Sequence, residues 1–361
     1  MGTSAGTATR PRRLPEPVAM ALTGAAAIGT ACAALLVSGT RSAASFLDPG
    51  ALGPSAAIIR RDFGPAAVPA GRTGYDGQQF YAIARFFPHL TRAARYLDLP
   101  RYRLLRIGAP ALASIAGRGA GIVVALLVLN VIGIGLAVGS VADLASRHRR
   151  PPWIGYLAGV PLLMGLTIST PEPFGVGLAL AGVAAADRGR HGRAVLLLVA
   201  SALVRESGAV VALAVAVGLL LARPRPRWPT LAGYLLPAVA LTAWSEVLAA
   251  TVGGPQSVLS RIVPLGLLHA TPPSIALGIA ALGLAGVGTW HWRDVPVAWP
   301  VTAAFGCWML TYSSDTSDWL ALPRAAAPAL VLGLCALGAV AGAALLPLRR
   351  RVPAVLDAHP G

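Results

Sequence analysis

The sequence predicts an all-α membrane protein with about ten transmembrane helices. Of its 361 residues, 55% are hydrophobic and only 12% are charged, which is about half the charged fraction of a soluble domain. The apolar residues form long unbroken runs, whereas a transmembrane barrel requires alternating segments of about ten residues. Arginines gather at the ends of these runs, as in multi-pass helical proteins.

The charge balance favours a membrane partner over a nucleic acid. The net charge is +16, and all 30 basic residues are Arg. A strongly basic chain can indicate nucleic-acid binding, but here topology and anionic lipid headgroups explain the arginines better. We therefore expect membrane lipids as partners and no nucleic acid. Cys32, Cys307 and Cys335 lie within apolar runs and have no metal-ligand spacing.

Apolar length defines the spans, and arginine placement orients them. Residues 1–17 are predicted to form a cytoplasmic tail, 18–346 one transmembrane domain and 347–361 a second cytoplasmic tail, in a bacterial plasma membrane. The predicted spans are residues 18–38, 119–143, 153–169, 174–186, 194–222 as two short helices, 229–250, 274–290, 295–310 and 324–346.

The run 194–222 is divided because it contains Arg205-Glu206-Ser207-Gly208. As a single helix it would hold Arg205 in mid-membrane, at a cost of about 2.5–3.5 kcal/mol. Two short helices hinged at the polar residues place Arg205 at a helix end. They also bring the flanking arginine clusters to the same side of the membrane.

Residues 39–118 form a long first extracytoplasmic loop with helical periodicity. Phe80, Ile83, Ala84 and Phe87 follow the i, i+3, i+4, i+7 pattern. The pattern repeats after Pro88, and it predicts amphipathic helices lying at the membrane interface. The apolar piece 104–115 is too short to span, so it is predicted to be interfacial or re-entrant.

Asp76 follows Tyr75 at the start of the first amphipathic helix, and three interpretations are open. It is a general base for an acceptor hydroxyl, a ligand of a divalent cation shared with phosphate, or an ordinary acid at a helix N-terminus. No cofactor is otherwise indicated. Charged groups at the membrane edge of a bundle often pair or line a substrate path.

Two further polar segments are candidates for the same site. Glu172 lies between prolines in Thr170-Pro171-Glu172-Pro173, which is either good helix-start chemistry or a second carboxylate facing Asp76. Arg205 and Glu206 form either a self-satisfied ion pair or a phosphate grip by a forked guanidinium. No nucleotide-binding loop, zinc spacing or nucleophile elbow is found.

Four segments resemble the integral-membrane glycosyltransferases of the GT-C superfamily, especially the mannosyltransferase-like and bacterial cell-surface-glycopolymer branches. They are Tyr75-Asp76-Gly77-Gln78-Gln79-Phe80-Tyr81-Ala82-Ile83-Ala84, Tyr102-Arg103-Leu104-Leu105-Arg106-Ile107-Gly108-Ala109-Pro110, Thr170-Pro171-Glu172-Pro173 and Leu203-Val204-Arg205-Glu206-Ser207-Gly208. The resemblance covers about residues 18–222. It departs at the doubled Gln78-Gln79, where a single Gln is expected.

The resemblance implies sugar transfer from a polyprenyl-phosphate donor to a cell-envelope acceptor on the outer face, usually with inversion. It implies Asp76 as base or metal-linked organiser and Glu172 as second acid. It implies Arg205 as a candidate for the carrier phosphate. Other residues of the matching segments are expected to bind substrate: Tyr75, Gln78, Arg103, Arg106 and Glu206. From the residues alone, Arg103 and Arg106 are also interpreted as side chains that extend to lipid phosphates. The alternatives are a transporter or flippase of a lipid-linked or small solute, and a non-catalytic envelope scaffold. The sequence indicates neither a sugar nor an oligomeric state.

Overall fold

A computed structural model describes residues 15–39, 42–222, 226–253, 272–311 and 330–340. These residues form helices and no β-strand; one isolated bridge joins Pro49 to Gly74. Short 3-10 helices cover Ala43–Leu47, Pro65–Ala67, Ser114–Ala116 and Pro152–Leu162. The α-helices are α1 (Glu16–Val37), α2 (Ala56–Phe63), α3 (Asp76–Phe86), α4 (Leu90–Ala94), α5 (Pro100–Leu104), α6 (Gly108–Ala113), α7 (Ala120–Arg147), α8 (Leu163–Thr167), α9 (Glu172–Asp187), α10 (His191–Val204), α11 (Ser207–Leu221), α12 (Trp228–Gly233), α13 (Leu236–Thr251), α14 (Pro272–His291), α15 (Trp299–Thr311) and α16 (Leu330–Val340).

The predicted all-helical class is confirmed for the described residues. Within the described ranges three segments are long and apolar enough to cross a bilayer: α1, α7 and Trp228–Thr251, which joins α12 to α13. Shorter apolar helices, including α10 and α11, accompany them. Residues 1–14 of the first predicted tail, the whole second tail, residues 312–329 and about half of the predicted last span lie outside the described residues.

The predicted third span begins as a 3-10 helix rather than an α-helix. Pro152–Leu162 has 11 residues in this conformation, with Pro161 inside, and α8 adds five. A 3-10 helix rises about 2.0 Å per residue, so the two pieces together reach about 30 Å. A segment too short to cross comfortably as an α-helix therefore has the length of a hydrocarbon core.

Helix α7 is the centre of the bundle, and its glycines set the packing distance of its neighbours. A Cβ at Gly135 or Gly139 would meet Ala25 or Ala21 of α1, at 3.0 and 2.7 Å. On another face of α7, a Cβ on Gly177 of α9 would overlap the carbonyl oxygen of Gly133. Small residues at four-residue spacing allow this close approach, which is typical of helices packed in membranes.

The break predicted at Arg205 is present, and the chain reverses there. α10 ends at Val204 and α11 begins at Ser207. A Cβ at Gly208 would overlap the backbone of Ser201 and would lie 2.5 Å from the backbone nitrogen of Ala202. Because α11 folds back on α10 in this way, the two form an antiparallel hairpin rather than one interrupted helix.

The first loop differs from its expected interfacial arrangement. Residues 77–84 of α3 are all buried, and Phe80 and Tyr81 have no exposed surface, whereas an interfacial helix would expose one face. The neighbouring loop segments and α7 cover that second face; the Tyr81 hydroxyl donates to Asp62 at 2.5 Å and accepts from the Gly119 amide at 3.0 Å. Phe87, expected on the apolar face, is exposed.

One end of the bundle carries a network of ion pairs, here called the basic end. It joins the C-terminal ends of α7, α9 and α14 through the ion pairs Arg147–Asp187 at 2.8 Å, Arg150–Asp294 at 2.5 Å and Asp143–Arg188. A hydrogen bond of 3.0 Å also joins His148 to Asp187. The Arg150 guanidinium also lies 4.6 Å from the centre of the buried Trp292 ring. These groups mark a polar boundary at the end of α7 that faces away from the first loop.

Candidate functional site

The candidate site is a cluster of charged side chains at the ends of four helices. Asp76 is the first residue of α3, and its Oδ1 lies 2.7 Å from Nη1 of Arg103. The Asp76 side chain is only 16% exposed. The positive end of the helix dipole also stabilises a carboxylate in this position. Asp76 can therefore be both an ordinary acid at a helix N-terminus and a residue of the site.

Arg103 holds a second carboxylate besides Asp76. Its Nε and Nη2 donate to the two oxygens of Asp98, both at 2.9 Å, while Nη1 faces Asp76. Burial would raise the pKa of the Asp98 carboxyl, but Arg103 and Gln79 outweigh burial and lower it. The Arg103 guanidinium therefore contacts both Asp76 and Asp98, and its planar geometry suits the bidentate contact with Asp98.

Arg106 is engaged in a similar way with Glu206. Its Nε and Nη2 donate to the Glu206 carboxylate at 2.9 and 2.6 Å, and Nη2 also contacts the Tyr102 hydroxyl. The Arg106 side chain is 3% exposed, and the Tyr102 ring centre lies 4.4 Å from its guanidinium. Glu206 lies in the connection between α10 and α11, outside both helices. Burial would raise the pKa of its carboxyl, but Arg106 outweighs burial and lowers it to about 2.

The third ion pair joins Glu172 to Arg205. Glu172 begins α9, and one of its oxygens accepts from Arg205 Nη1. The two side chains are 3% and 7% exposed. The Nε of Arg205 is buried and has no hydrogen-bond partner among the described residues. A guanidinium that retains donor capacity in a buried place can still receive an anionic oxygen.

Close backbone contacts bring these three pairs together. A Cβ on Gly77, next to Asp76, would overlap the carbonyl oxygen of Ile168, four residues before Glu172. A Cβ on Gly108 would lie 2.8 Å from Val204, immediately before Arg205. The first loop therefore packs directly on the turn before α9 and on the α10–α11 connection. In the same cluster, Glu172 helps Glu206 to raise the pKa of Arg106 against the effect of burial.

The cluster lies about halfway along α7. Gly133 of α7 contacts Pro173, next to Glu172, and α7 rises about 21 Å from Gly133 to Arg147 at the basic end. The 14 residues of α10 give the same height of about 21 Å. Helices α9, α10 and α11 are short, and Gly108, the first residue of α6, packs against Val204 at the end of α10.

Two predicted binding residues have other contacts. The Gln78 amide donates to the Thr73 carbonyl at 2.7 Å and accepts from the Gly50 amide at 3.3 Å, so it braces the first loop. The Tyr75 amide donates to the carbonyl of Asp48 at 2.8 Å. Both residues flank Asp76, but these contacts are to the loop backbone, and their role in binding stays a prediction.

Sequence reasoning missed Asp98 and did not use Gln79 or Tyr102. The doubled Gln78-Gln79 has a structural explanation, because the second Gln accepts from the Asp98 backbone amide at 3.2 Å. An acid five residues before Arg103, in a loop rich in arginine, was the available signal. Periodicity alone does not show that a loop acid and a helix acid share one guanidinium.

The residues around Asp76 and Glu172 do not fit the divalent cation that the sequence leaves open. Among the described residues, no three His, Cys, Asp or Glu side chains come together as metal ligands. Each carboxylate of the cluster instead contacts an arginine, whose positive charge opposes a second cation nearby. We therefore derive no step through a metal ion.

Comparisons of the chain with protein-family models, with curated proteins and with solved structures find no match. The functional interpretation therefore depends on the charged cluster and on the residues of the four resembling segments.

Proposed function

We propose that the chain is a multi-pass membrane glycosyltransferase of the GT-C type. It transfers a sugar from a polyprenyl-phosphate donor to a cell-envelope acceptor on the extracytoplasmic side. One observation carries this proposal: the resembling segments are distant in sequence, yet their charged residues meet in one buried cluster. Asp76, Arg103, Arg106, Glu172 and Arg205 all belong to it.

The proposed topology has ten spans with both termini in the cytoplasm of a bacterial cell. Its support is that α1 begins at the basic end, since a Cβ on Gly139 of α7 would lie 3.1 Å from the carbonyl oxygen of Pro17. Arginine-rich connections remain in the cytoplasm. The first loop and the cluster then face the opposite side, where lipid-linked sugars are used in the family that the chain resembles.

In the proposed reaction the acceptor hydroxyl attacks the anomeric carbon of the sugar. The bond from that carbon to the phosphate oxygen breaks, and the carrier phosphate leaves with the electron pair. Asp76 takes the hydroxyl proton, which is the work of a general base. Arg205, whose Nε retains donor capacity, stabilises the charge on the leaving phosphate.

The test is sugar transfer by the full-length protein in proteoliposomes that contain a panel of radiolabelled polyprenyl-phosphate sugars and extracted envelope acceptors. We expect Asp76→Asn to lower transfer by about 10²–10⁴-fold, the usual contribution of general-base catalysis. Asp48→Asn is the matched control, because Asp48 belongs to the same loop, pairs with Arg72 and has a positive φ that Asn tolerates. Full activity of Asp76→Asn would refute the assigned role.

A transporter of a lipid-linked solute is the second candidate, and the position of the cluster along α7 favours it. Charged groups about halfway along α7, at the ends of short helices, are typical of substrate sites in secondary transporters. Movement of a fluorescent polyprenyl-phosphate sugar across the membrane of proteoliposomes that contain the protein but no acceptor would favour this function.

A non-catalytic scaffold is the remaining alternative. Unimpaired envelope function after replacement of both Asp76 and Glu172 by Ala would favour it.

A further inference from the structure

Asp98 is the one acid of the cluster that does not belong to any of the resembling segments. It lies in the connection between α4 and α5, and its carboxylate takes two donors of Arg103 at 2.9 Å each. The remaining terminal nitrogen of that guanidinium faces Asp76 at 2.7 Å. Asp98 therefore competes with Asp76 for the same positive charge.

Helix α3 holds both ends of this arrangement. Asp76 and Gln79 are three residues apart and so lie on one face of the helix. Gln79 accepts from the backbone amide of Asp98 at 3.2 Å, and it is itself 5% exposed. The connection that carries Asp98 is thus fixed to the same helix face as Asp76, with Arg103 between the two carboxylates.

The consequence for a general base is chemical. A carboxylate held by an arginine alone is stabilised as an anion and becomes a weaker proton acceptor. A second carboxylate on the same guanidinium divides the attraction, so that Arg103 stabilises the Asp76 anion less strongly than it would alone. Asp98 also fixes the plane of the guanidinium by a bidentate contact, which fixes the direction in which Arg103 holds Asp76.

We propose that Asp98 is a positioning residue for Asp76. Through the shared Arg103 guanidinium it sets both the orientation of Asp76 and how readily Asp76 accepts a proton. This role rests on the proposed function insofar as Asp76 acts as a base, but the electrostatic coupling of the two acids is a property of the site itself.

The first experiment measures the pH dependence of sugar transfer. In Asp98→Asn we expect kcat to fall about tenfold, while KM changes by less than about twofold. We also expect the acid limb of the pH–rate profile, where activity is lost as Asp76 becomes protonated, to move to lower pH by about one unit. Asp98→Glu should restore the limb, and Asp48→Asn serves as the control from the same loop. A fall in kcat with an unmoved acid limb would reduce Asp98 to a structural residue and overturn the proposal.

The second experiment needs no activity, so it separates this proposal from the proposed function. Carbodiimide with an amine labels protonated carboxyls, and trypsin cleavage after Arg72 and Arg85 gives the peptide of residues 73–85, whose only acidic side chain is Asp76. The pH midpoint of labelling, read by mass spectrometry, should fall by about one unit in Asp98→Asn. An unchanged midpoint would overturn the proposal even if the wild-type protein transfers sugar.

A double variant tests the route through Arg103. In an Arg103→Gln background, the Asp98→Asn change should move the labelling midpoint by less than half as much. An equal movement in both backgrounds would show that Asp98 does not act through the shared guanidinium. Failure of sugar transfer in the wild-type protein would refute only the function, since the labelling midpoints would still decide the coupling.

Discussion

The ion pair between Arg106 and Glu206 fastens the first loop to the α10–α11 hairpin, and its removal should be costly and asymmetric. Glu206→Gln leaves the guanidinium of Arg106, 3% exposed, without a charged acceptor. Arg106→Met leaves Glu206, which is 21% exposed and therefore within partial reach of water. We expect the first variant to destabilise the protein more than the second.

The magnitude follows from the geometry by two routes. Breaking a buried ion pair by removing one partner costs about 3–5 kcal/mol. Independently, a Glu206 pKa lowered from 4.5 to about 2 corresponds to about 3 kcal/mol of stabilisation of the ionised form. We therefore expect Glu206→Gln to lower the free energy of unfolding by about 3 kcal/mol, and Arg106→Met by about 2 kcal/mol.

The assay is reversible unfolding in mixed micelles, followed by the fluorescence of the eight tryptophans. Because the pKa of Glu206 is lower in the folded protein than its ordinary value, the stabilisation is present above about pH 4.5 and is lost as the pH falls toward 2. Glu206→Gln should lack this part of the pH dependence. The double variant Arg106→Met/Glu206→Leu should recover most of the stability, since no buried charge is left unpaired.

Additive losses in the double variant would refute the reasoning, because they would mean that the two side chains stabilise the protein independently. An unfolding free energy that falls equally between pH 4.5 and 2 in wild type and Glu206→Gln would also refute it. A control is Asp48→Asn, whose partner Arg72 is 56% exposed. Exposed ion pairs contribute about 0–1 kcal/mol, so this variant should stay close to wild type.

Two further outcomes are expected in the same unfolding assay. Gly177→Ala should destabilise the protein by about 3 kcal/mol, because the added Cβ would overlap the backbone of α7. At Gly286 an added Cβ would have no atom of the described residues within 4 Å, so Gly286→Ala should be neutral or stabilising by up to about 1 kcal/mol. Arg150→Ala should destabilise by more than Asp294→Asn, because Arg150 is 12% exposed and Asp294 is 59% exposed; equal effects would contradict the buried role of Arg150.

The helices and the α10–α11 hairpin could be predicted from the sequence because each depends on local chemistry. A long apolar run of about 20 residues predicts a spanning helix, and α1 and α7 follow this rule. The break at Arg205 was predictable because a buried charge within a helix is costly. Glu172 was recognisable because an acid beside Pro173 begins a helix well.

The burial and the internal connections of the cluster were not predictable in the same way. The α3 periodicity suggests one exposed face, but tertiary packing of the first loop buries residues 77–84. The 3-10 conformation of Pro152–Leu162 does not follow from apolar length, which predicts only that the segment spans. The contact of Arg103 with both Asp76 and Asp98 depends on how α5 packs beside α3, which is a long-range property of the fold.

The short hairpin of α10 and α11 has a consequence for the surrounding lipid. Both helices expose apolar side chains such as Leu196 and Val217, yet 14 and 15 residues extend only about 21–23 Å. A hydrocarbon layer about 30 Å thick exceeds this by about 7–9 Å. Lipids adapt to such hydrophobic mismatch by local thinning, so the leaflet beside this hairpin should form a dimple. Headgroups drawn into the dimple would then lie closer to the level of the α10–α11 connection.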